Sequence, residues 1–143
     1  MQTEETCVPA ALLPTWSSRS SASPAVPGQI YVSERRNGAR FGTATAVAEL
    51  NDAAANDIQP NVRADGLEVV LSSNRAGGLG AQDVWVATRA SVNDPWSAPT
   101  NIGPAVNTAA AETRPSLSRD GSQLLFGRTP GPEGSGDLYV TTR

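Results

Sequence analysis

The sequence predicts an all-β fold assembled from repeated, antiparallel four-stranded sheets. Two observations predict it. The chain of 143 residues repeats itself at an interval of about 55 residues, and Asp-Gly pairs separate short apolar runs with alternating side chains. The clearest copies are IQPNVRADGLEVVLSS (58–73) and TRPSLSRDGSQLLFGR (113–128), in which Pro60 aligns with Pro115 and Gly66 with Gly121. Each Asp-Gly pair predicts a type I′ hairpin turn, which requires positive φ at both central residues.

A second repeated segment predicts the third strand of each sheet. It reads QIYVSER (29–35), DVWVATR (83–89) and DLYVTTR (137–143), so an apolar–aromatic–Val pattern occurs three times. Apolar residues on both faces of a strand are typical of a sheet that is covered on both sides. Asn51 aligns with Asn107, and Phe41 aligns with Trp96, which extends the repeat beyond the third strand.

These patterns assign four strands to each unit. The central unit has predicted strands at 59–63, 67–73, 83–88 and 98–102, the later unit at 114–118, 122–127 and 137–142, and the earlier unit at 29–33 and 43–47. Units of this length that stack face to face are typical of β-propeller blades. Residues 1–28 are predicted to be irregular or a degraded first blade, followed by the end of blade one (29–57), blade two (58–112) and most of blade three (113–143).

The segments RPSLSRDG (114–121) and LSSNRAGGLGAQDVWV (71–86) resemble the WD40-like β-propeller repeat of TolB-type bacterial propellers. The resemblance covers residues 29–143, and it departs from the family pattern at LFGRTPGPEGSGD (125–137). It implies a non-catalytic scaffold that binds a protein or another macromolecule, such as a glycan, through one face of the ring. It also favours a periplasmic or secreted protein. The two and a half to three blades expected here are too few to close a ring alone, so a homo-oligomer could complete it.

The candidate binding residues are Arg75, Arg114 and Arg128, together with Glu112. They lie near loops that would gather on one face of the ring, where repeat proteins usually bind their partners. The alternative is that these arginines pair with acidic residues of the next blade and only stabilise the stack.

Composition limits the chemistry. The 11 basic residues are all arginine, there is no histidine, and the net charge is −3, so neither a nucleic-acid interface nor a Ser-His-Asp triad is expected. The single cysteine, Cys7, excludes an internal disulfide. Carboxylates remain, and Asp57, Asp94 and Glu112 have no catalytic spacing. We therefore expect no catalytic residue and no cofactor. The alternative is part of a propeller-type enzyme acting on polysaccharide, with catalytic residues largely outside this chain.

The segment GGLGAQD (77–83) is similar to calcium-binding Gly-Gly-x-Gly-x-Asp repeats, but it has one extra residue and no tandem copy. We therefore predict no metal site. The glycines would form a loop, and Asp83 and Asp137 would bond to nearby backbone. No run of about 18 apolar residues occurs, so no membrane span is expected, and no signal peptide is visible.

Overall fold

The fold is described by a computed structural model for residues 15–19, 27–36, 40–132 and 134–143, with the backbone alone at 15–19 and Arg36. Within these residues the chain forms twelve strands and one 3₁₀ helix of three residues, Ala48–Leu50. The strands are β1 (Thr15–Arg19), β2 (Gln29–Ser33), β3 (Arg35–Arg36), β4 (Arg40–Phe41), β5 (Thr45–Ala46), β6 (Asp57–Val62), β7 (Glu68–Ser73), β8 (Asp83–Thr88), β9 (Thr100–Asn101), β10 (Ala111–Leu117), β11 (Gln123–Thr129) and β12 (Asp137–Thr142). In this part of the chain no helix has the length and apolar character needed to cross a membrane.

The strands form three larger antiparallel sheets. The first sheet has the order β1-β2-β5, the second β6-β7-β8-β9 and the third β10-β11-β12, while β3 and β4 make a separate hairpin. All strand pairings are antiparallel. The predicted all-β class is therefore confirmed, and the second sheet contains the predicted four strands in sequence order.

The strand bounds agree best at the repeated apolar–aromatic–Val segments. The bounds of β2, β8 and β12 are those predicted. The predicted fourth strand at 98–102 shortens to β9, because Pro99 has no N–H to donate to a neighbouring strand. Ser97 instead donates its N–H to the carbonyl of Thr88 at 2.8 Å, which continues the alignment beyond the proline.

A strand also lies inside the region 1–28. β1 pairs with β2 along its length, with Trp16 opposite Val32. This is the place that β7 holds beside β8 in the second sheet. The region 1–28, predicted to be irregular or a degraded first blade, therefore contains a strand at 15–19, and residues 1–14 and 20–26 lie outside the described residues.

The two Asp-Gly bends occupy equivalent corners of neighbouring sheets. Gly66 has φ 75° and donates its N–H to the carbonyl of Arg63 at 2.8 Å. Gly121 has φ 73° and donates to the carbonyl of Ser118 at 2.9 Å. Only glycine accepts this left-handed conformation without a steric cost, which explains its recurrence 55 positions apart.

The predicted type I′ turn is wrong, because Asp65 and Asp120 do not have positive φ. The Asp65 carboxylate accepts the N–H of Leu67 at 3.0 Å, and the Asp120 carboxylate accepts the N–H of Ser122 at 3.1 Å. Each aspartate holds the turn through its side chain, so the glycine alone supplies the left-handed residue.

A second backbone feature recurs in the two copies. Gln59 and Arg114 each precede a proline and have positive φ, 55° and 53°. Each lies where the strand register shifts, in β6 and in β10. Residues other than glycine are uncommon in this conformation. Its occurrence at both positions shows that the two β-bulges share one backbone conformation.

The sheets stack through two apolar clusters. The cluster between the first and second sheets contains Ile30, Leu50, Val69, Leu71 and Trp85. The cluster between the second and third sheets contains Val70, Val84, Val106, Leu124 and Phe126. Successive residues of β7 therefore point to opposite neighbours, as side chains alternate along a strand. Each buried aliphatic side chain contributes about 1.5–3 kcal/mol, so stacking is a main source of stability.

Candidate functional site

The connecting segments of neighbouring sheets meet along one edge of the stack. We define the loop edge as residues 74–82 between β7 and β8, 102–110 between β9 and β10, and 130–136 between β11 and β12, of which Glu133 is not described. Ala81 donates its N–H to the carbonyl of Ala110 at 3.2 Å, and Gln82 forms a parallel bridge with Ala111. Ala111 also pairs with Thr129 at the end of β11, so the three segments share one corner.

Hydrogen bonds to the Asp83 side chain hold the loop at 74–82 in place. This buried carboxylate accepts the N–H groups of Leu79 and Gly80, the latter at 3.2 Å. It also accepts a hydrogen bond from the Asn101 amide at 2.9 Å. The predicted bonding of Asp83 to nearby backbone is therefore confirmed, and its oxygens are engaged by three donors within the protein.

The same loop presents an apolar side chain to solvent. Leu79 is 51% exposed, and the residues from Ala76 to Ala81 that surround it are exposed as well. Gly80 fits closely against the next segment, since an added Cβ would lie 2.1 Å from the carbonyl oxygen of Ala110. Leu79 therefore projects from a loop whose conformation is already fixed.

Arg75 points inward from the loop edge. Its guanidinium lies 2.5 Å from the Asp57 carboxylate, which is fully buried, and donates to the Leu50 carbonyl at 2.7 Å. It also stacks over Trp85 at 5.4 Å from the ring centroid. These contacts engage the charged end of Arg75 within the protein.

Arg128 and Glu112 repeat the same arrangement in the third sheet. The Arg128 guanidinium lies 2.8 Å from the buried Glu112 carboxylate and donates to the Val106 carbonyl at 2.9 Å. It stacks over Tyr139 at 4.4 Å. Glu112 further accepts the hydroxyl of Thr108 at 2.6 Å. Each arginine pairs with an acid on the first strand of its own sheet, and not with an acid of a neighbouring sheet.

Arg114 is the one predicted binding residue whose side chain is exposed. It lies on β10, two residues beyond Glu112, and no described residue makes a hydrogen bond or an ion pair with its guanidinium. Its equivalent in the previous sheet, Gln59, reaches across to accept the Arg114 backbone N–H at 2.7 Å. The Arg114 side chain is therefore exposed to solvent, whereas its backbone N–H contacts the second sheet through the Gln59 side chain.

A charged cluster lies at the opposite edge, which we call the bend edge because it contains the Asp-Gly bends. The nearly buried Glu68 carboxylate binds Arg143 of the third sheet through two bonds of 2.7 and 2.6 Å. It also pairs with Arg63, which bonds to Asp65. The hydrogen bond to Glu68 raises the pKa of Arg143, and the hydrogen bond to Arg63 lowers the pKa of Asp65.

An open cleft of about 600 Å³ lies over this cluster between the second and third sheets. Its lining includes Arg63, Glu68, Asp120 and Arg143. Hydrogen bonds from Ser118 and from the N–H and hydroxyl of Ser122 lower the pKa of Asp120 to about 2. Asp120 is therefore ionised at neutral pH, and both carboxylates that line the cleft, Glu68 and Asp120, are already bonded to protein donors.

The candidate carboxylates for catalysis do not come together. Asp57 and Glu112 are fully buried, each beside its own arginine, whereas Asp94 is exposed on the loop after β8. Within the part of the chain that the structure describes, no three histidine, cysteine or carboxylate side chains are grouped as a metal site would require.

Comparison with known proteins adds no relative. We find no family model that matches this sequence, and no curated protein that matches it. Inference about function therefore depends on the geometry described above.

Two groups of residues were missed by sequence reasoning. The sequence predicts only a glycine loop at Leu79, although the apolar residue within the run AGGLGAQ is a signal of an exposed apolar side chain. The pair Glu68–Arg143 spans 75 positions and two sheets. Nothing in the repeat pattern indicates it, because Gln123 stands at the position equivalent to Glu68.

Proposed function

We propose that this chain is a non-catalytic scaffold of stacked β-propeller-type blades that binds a protein partner through the loop edge. The observation that carries the proposal is the repetition of one set of side-chain contacts in neighbouring sheets. Arg75 with Asp57 and Arg128 with Glu112 fix the end of the second strand in the same way. A unit repeated in this manner places successive loops side by side, which is how repeat proteins form extended binding surfaces.

The loop edge is favoured over the bend edge by its exposed side chains. Leu79 is an apolar group on a loop that Asp83 holds rigid, so binding would order little additional structure. At the bend edge, the charged groups Arg63, Glu68 and Arg143 already bond to one another. Using them for a partner would first require breaking these bonds.

A protein partner fits this edge better than a glycan does. The exposed residues 76–81 are alanine, glycine and leucine, which offer apolar surface and backbone groups. On β10, four positions beyond the loop edge, the exposed Arg114 adds a cation, and arginine is enriched at protein interfaces. The resemblance to TolB-type propellers supports the same class of function and favours a periplasmic or secreted protein.

Of the four residues singled out in the sequence, Arg114 is the one assigned to the interface in this proposal. Arg75, Arg128 and Glu112 support the loop edge from inside through their buried pairs. Substituting them would alter binding by altering the fold, so their variants test stability and not recognition.

The experiment uses chemical crosslinking in an extract of the source cells, followed by mass spectrometry. Wild-type chain is compared with Leu79→Asp and Arg114→Ala. The matched control is Val92→Asp, because Val92 has the same 51% exposure but lies on the loop between β8 and β9. Circular dichroism and urea unfolding confirm that each variant folds.

We expect one crosslinked protein to be retained by Val92→Asp and reduced at least about tenfold by Leu79→Asp, because a charge at the centre of an interface is costly. Equal recovery with all three variants would exclude the loop edge. A parallel glycan panel tests the polysaccharide-enzyme alternative, since turnover of any glycan by this chain would contradict a non-catalytic role.

A further inference from the structure

Three of the eleven arginines of this chain lie in one short hairpin of the first sheet's connecting segment. The hairpin consists of β3 and β4, and its sequence from 35 to 41, RRNGARF, contains no acidic residue. It follows β2, just as the segment beside the Gly66 bend follows the equivalent strand β8, so it lies at the bend edge. Positive charge is therefore concentrated at one place on a chain whose net charge is −3.

The base of the hairpin is fixed to the first sheet. Ser33, at the end of β2, donates its hydroxyl to the Gly42 carbonyl at 2.7 Å. Gly42 in turn donates its N–H to the Glu34 carbonyl at 2.9 Å. Because these bonds join the two ends of the hairpin, Arg35 and Phe41 lie opposite each other at a defined position beside β2.

The side chains of Arg35, Arg40 and Phe41 are exposed, and Phe41 is 56% exposed. Among the described residues, none makes an ion pair or a hydrogen bond with the guanidinium of either arginine. Arg89, the equivalent of Arg35 in the second sheet, instead donates to a backbone carbonyl at 2.7 Å and stacks over Trp96 at 4.2 Å from the ring centroid. The arginine of the second sheet is used within the fold, whereas the two arginines of the hairpin are free to bind another molecule.

The register of the hairpin places two positive residues at opposite positions, because Arg36 pairs with Arg40. Like charges directly opposite each other destabilise an antiparallel strand pair. A two-stranded hairpin also has little stability of its own. An anionic group bound near these two positions would remove the repulsion, so the hairpin is suited to an acidic ligand.

We propose that the β3–β4 hairpin binds an acidic polypeptide segment that carries an apolar residue beside its carboxylates. Arginine clusters are an established means of recognising acidic motifs, because guanidinium groups form charge-assisted hydrogen bonds with carboxylates. Phe41 supplies an apolar contact beside Arg35, and aromatic residues and arginine are both enriched in protein interfaces. This site is separate from the loop edge, and it does not depend on the proposed function.

The position of Phe41 and the charge of the whole chain favour a polypeptide over an anionic membrane surface. Phe41 lies at the base of the hairpin, next to Gly42, which bonds to the end of β2. An extended polypeptide can lie along the hairpin and contact the ring and the arginines together, whereas a flat bilayer would contact the rest of the hairpin before this ring. The net charge of −3 also opposes the approach of an extended anionic surface, but a short segment experiences mainly the local charge of the hairpin.

The test uses a fluorescein-labelled peptide of sequence EELEE and a comparison peptide, QQLQQ, in which glutamine replaces every glutamate. Binding to the full chain is measured by fluorescence anisotropy at low salt, about 50 mM NaCl, where screening is weak. The protein variants are Arg40→Glu and Phe41→Ser. The matched control is Arg119→Glu, which changes the net charge equally, because Arg119 is exposed between β10 and β11 and its guanidinium bonds to no residue in the described ranges.

We expect saturable binding of EELEE that weakens at least about tenfold with Arg40→Glu and at least about threefold with Phe41→Ser, while Arg119→Glu binds like wild type. Binding should also weaken as NaCl is raised to about 300 mM, since salt screens exposed charges. Equal loss with Arg119→Glu would show a response to net charge alone and overturn the proposal. Equal binding of QQLQQ, or no binding at millimolar EELEE, would overturn it as well.

Arg40→Glu also separates binding from folding. It replaces a like-charge pair with Arg36 by a pair of opposite charge, so urea denaturation should show equal or greater stability while the affinity for EELEE falls. Cosedimentation with phosphatidylglycerol vesicles by a chain that does not bind EELEE would assign the hairpin to a membrane surface and overturn the proposal. Arg40→Glu should leave crosslinking at the loop edge unchanged, so this proposal and the proposed function can fail independently.

Discussion

Asn107 satisfies both backbone polar groups of Val84: its Nδ2 donates to the Val84 carbonyl, and its Oδ1 accepts the Val84 N–H, each at 2.8 Å. Asn107 is almost completely buried, although it lies in the segment that connects two sheets. One side chain therefore fixes this connection to the sheet before it. Asn51 makes the corresponding two bonds to Ile30, so the same solution is used at both junctions.

Asn107→Ala should destabilise the fold by about 2–4 kcal/mol, because it leaves the buried Val84 N–H without a partner and removes one of the two donors to the Val84 carbonyl, which keeps only the Ile102 N–H. The free energy of unfolding is measured by urea denaturation at neutral pH. Asn93→Ala is the control, since Asn93 is exposed and only its backbone N–H is bonded, so its effect should stay within about 0.5 kcal/mol. A loss below about 1 kcal/mol for Asn107→Ala would show that the two bonds are replaced by water.

Arg75→Ala should destabilise the chain by about 3–5 kcal/mol, because it leaves the buried Asp57 carboxylate without its cation. Adding Asp57→Asn to this variant should recover part of the loss, since a neutral amide is less costly to bury than an unpaired charge. Urea denaturation of the two single variants and the double variant measures the coupling. Strictly additive losses would contradict a direct pairing between these side chains.

The sequence predicted the parts of this fold that depend on local pattern. The strands at 29–33, 83–88 and 137–142 follow from the repeated apolar–aromatic–Val segment, although only the central copy is buried on both faces. The Asp-Gly bends were located correctly, but their turn type was not. The turn type depends on whether the aspartate side chain or its backbone stabilises the turn, and an Asp-Gly pair is compatible with either arrangement.

The candidate site was harder to predict, because burial decides which of its charged side chains are exposed. Arg75, Arg114 and Arg128 are all predicted near loops on one face, yet two of them pair with buried acids and one is exposed to solvent. Glu68 and Arg143 meet only after two sheets stack, so local pattern contains no information about that pair.

The carboxylate of Asp120 should titrate near pH 2, well below its ordinary value of 3.8, because hydroxyl and backbone donors stabilise its charged form. Its folded-state pKa is lowered, so the stability it adds is present above pH 4 and is lost as the pH falls towards 2. Carbon-detected NMR titration measures this pKa directly. Ser118→Ala should raise it, since the Ser118 hydroxyl makes the largest contribution, and an unchanged value would contradict that assignment.

Arg114→Gly should be more stable than Arg114→Ala by about 1 kcal/mol, because residue 114 has φ 53° and glycine adopts this left-handed conformation without the cost of a Cβ. Both substitutions remove the same exposed guanidinium, so their difference isolates the backbone. Urea denaturation of the two variants and wild type provides the measurement. At Gln59, which has a similar positive φ, glycine should not give this gain, because it also removes the hydrogen bond from the Arg114 N–H to the Gln59 side chain.

If Arg114→Gly is the more stable variant but loses the crosslinked partner as Arg114→Ala does, then the arginine at this strained position serves recognition and not folding. Equal stability of the two Arg114 variants would contradict the strain at this bulge.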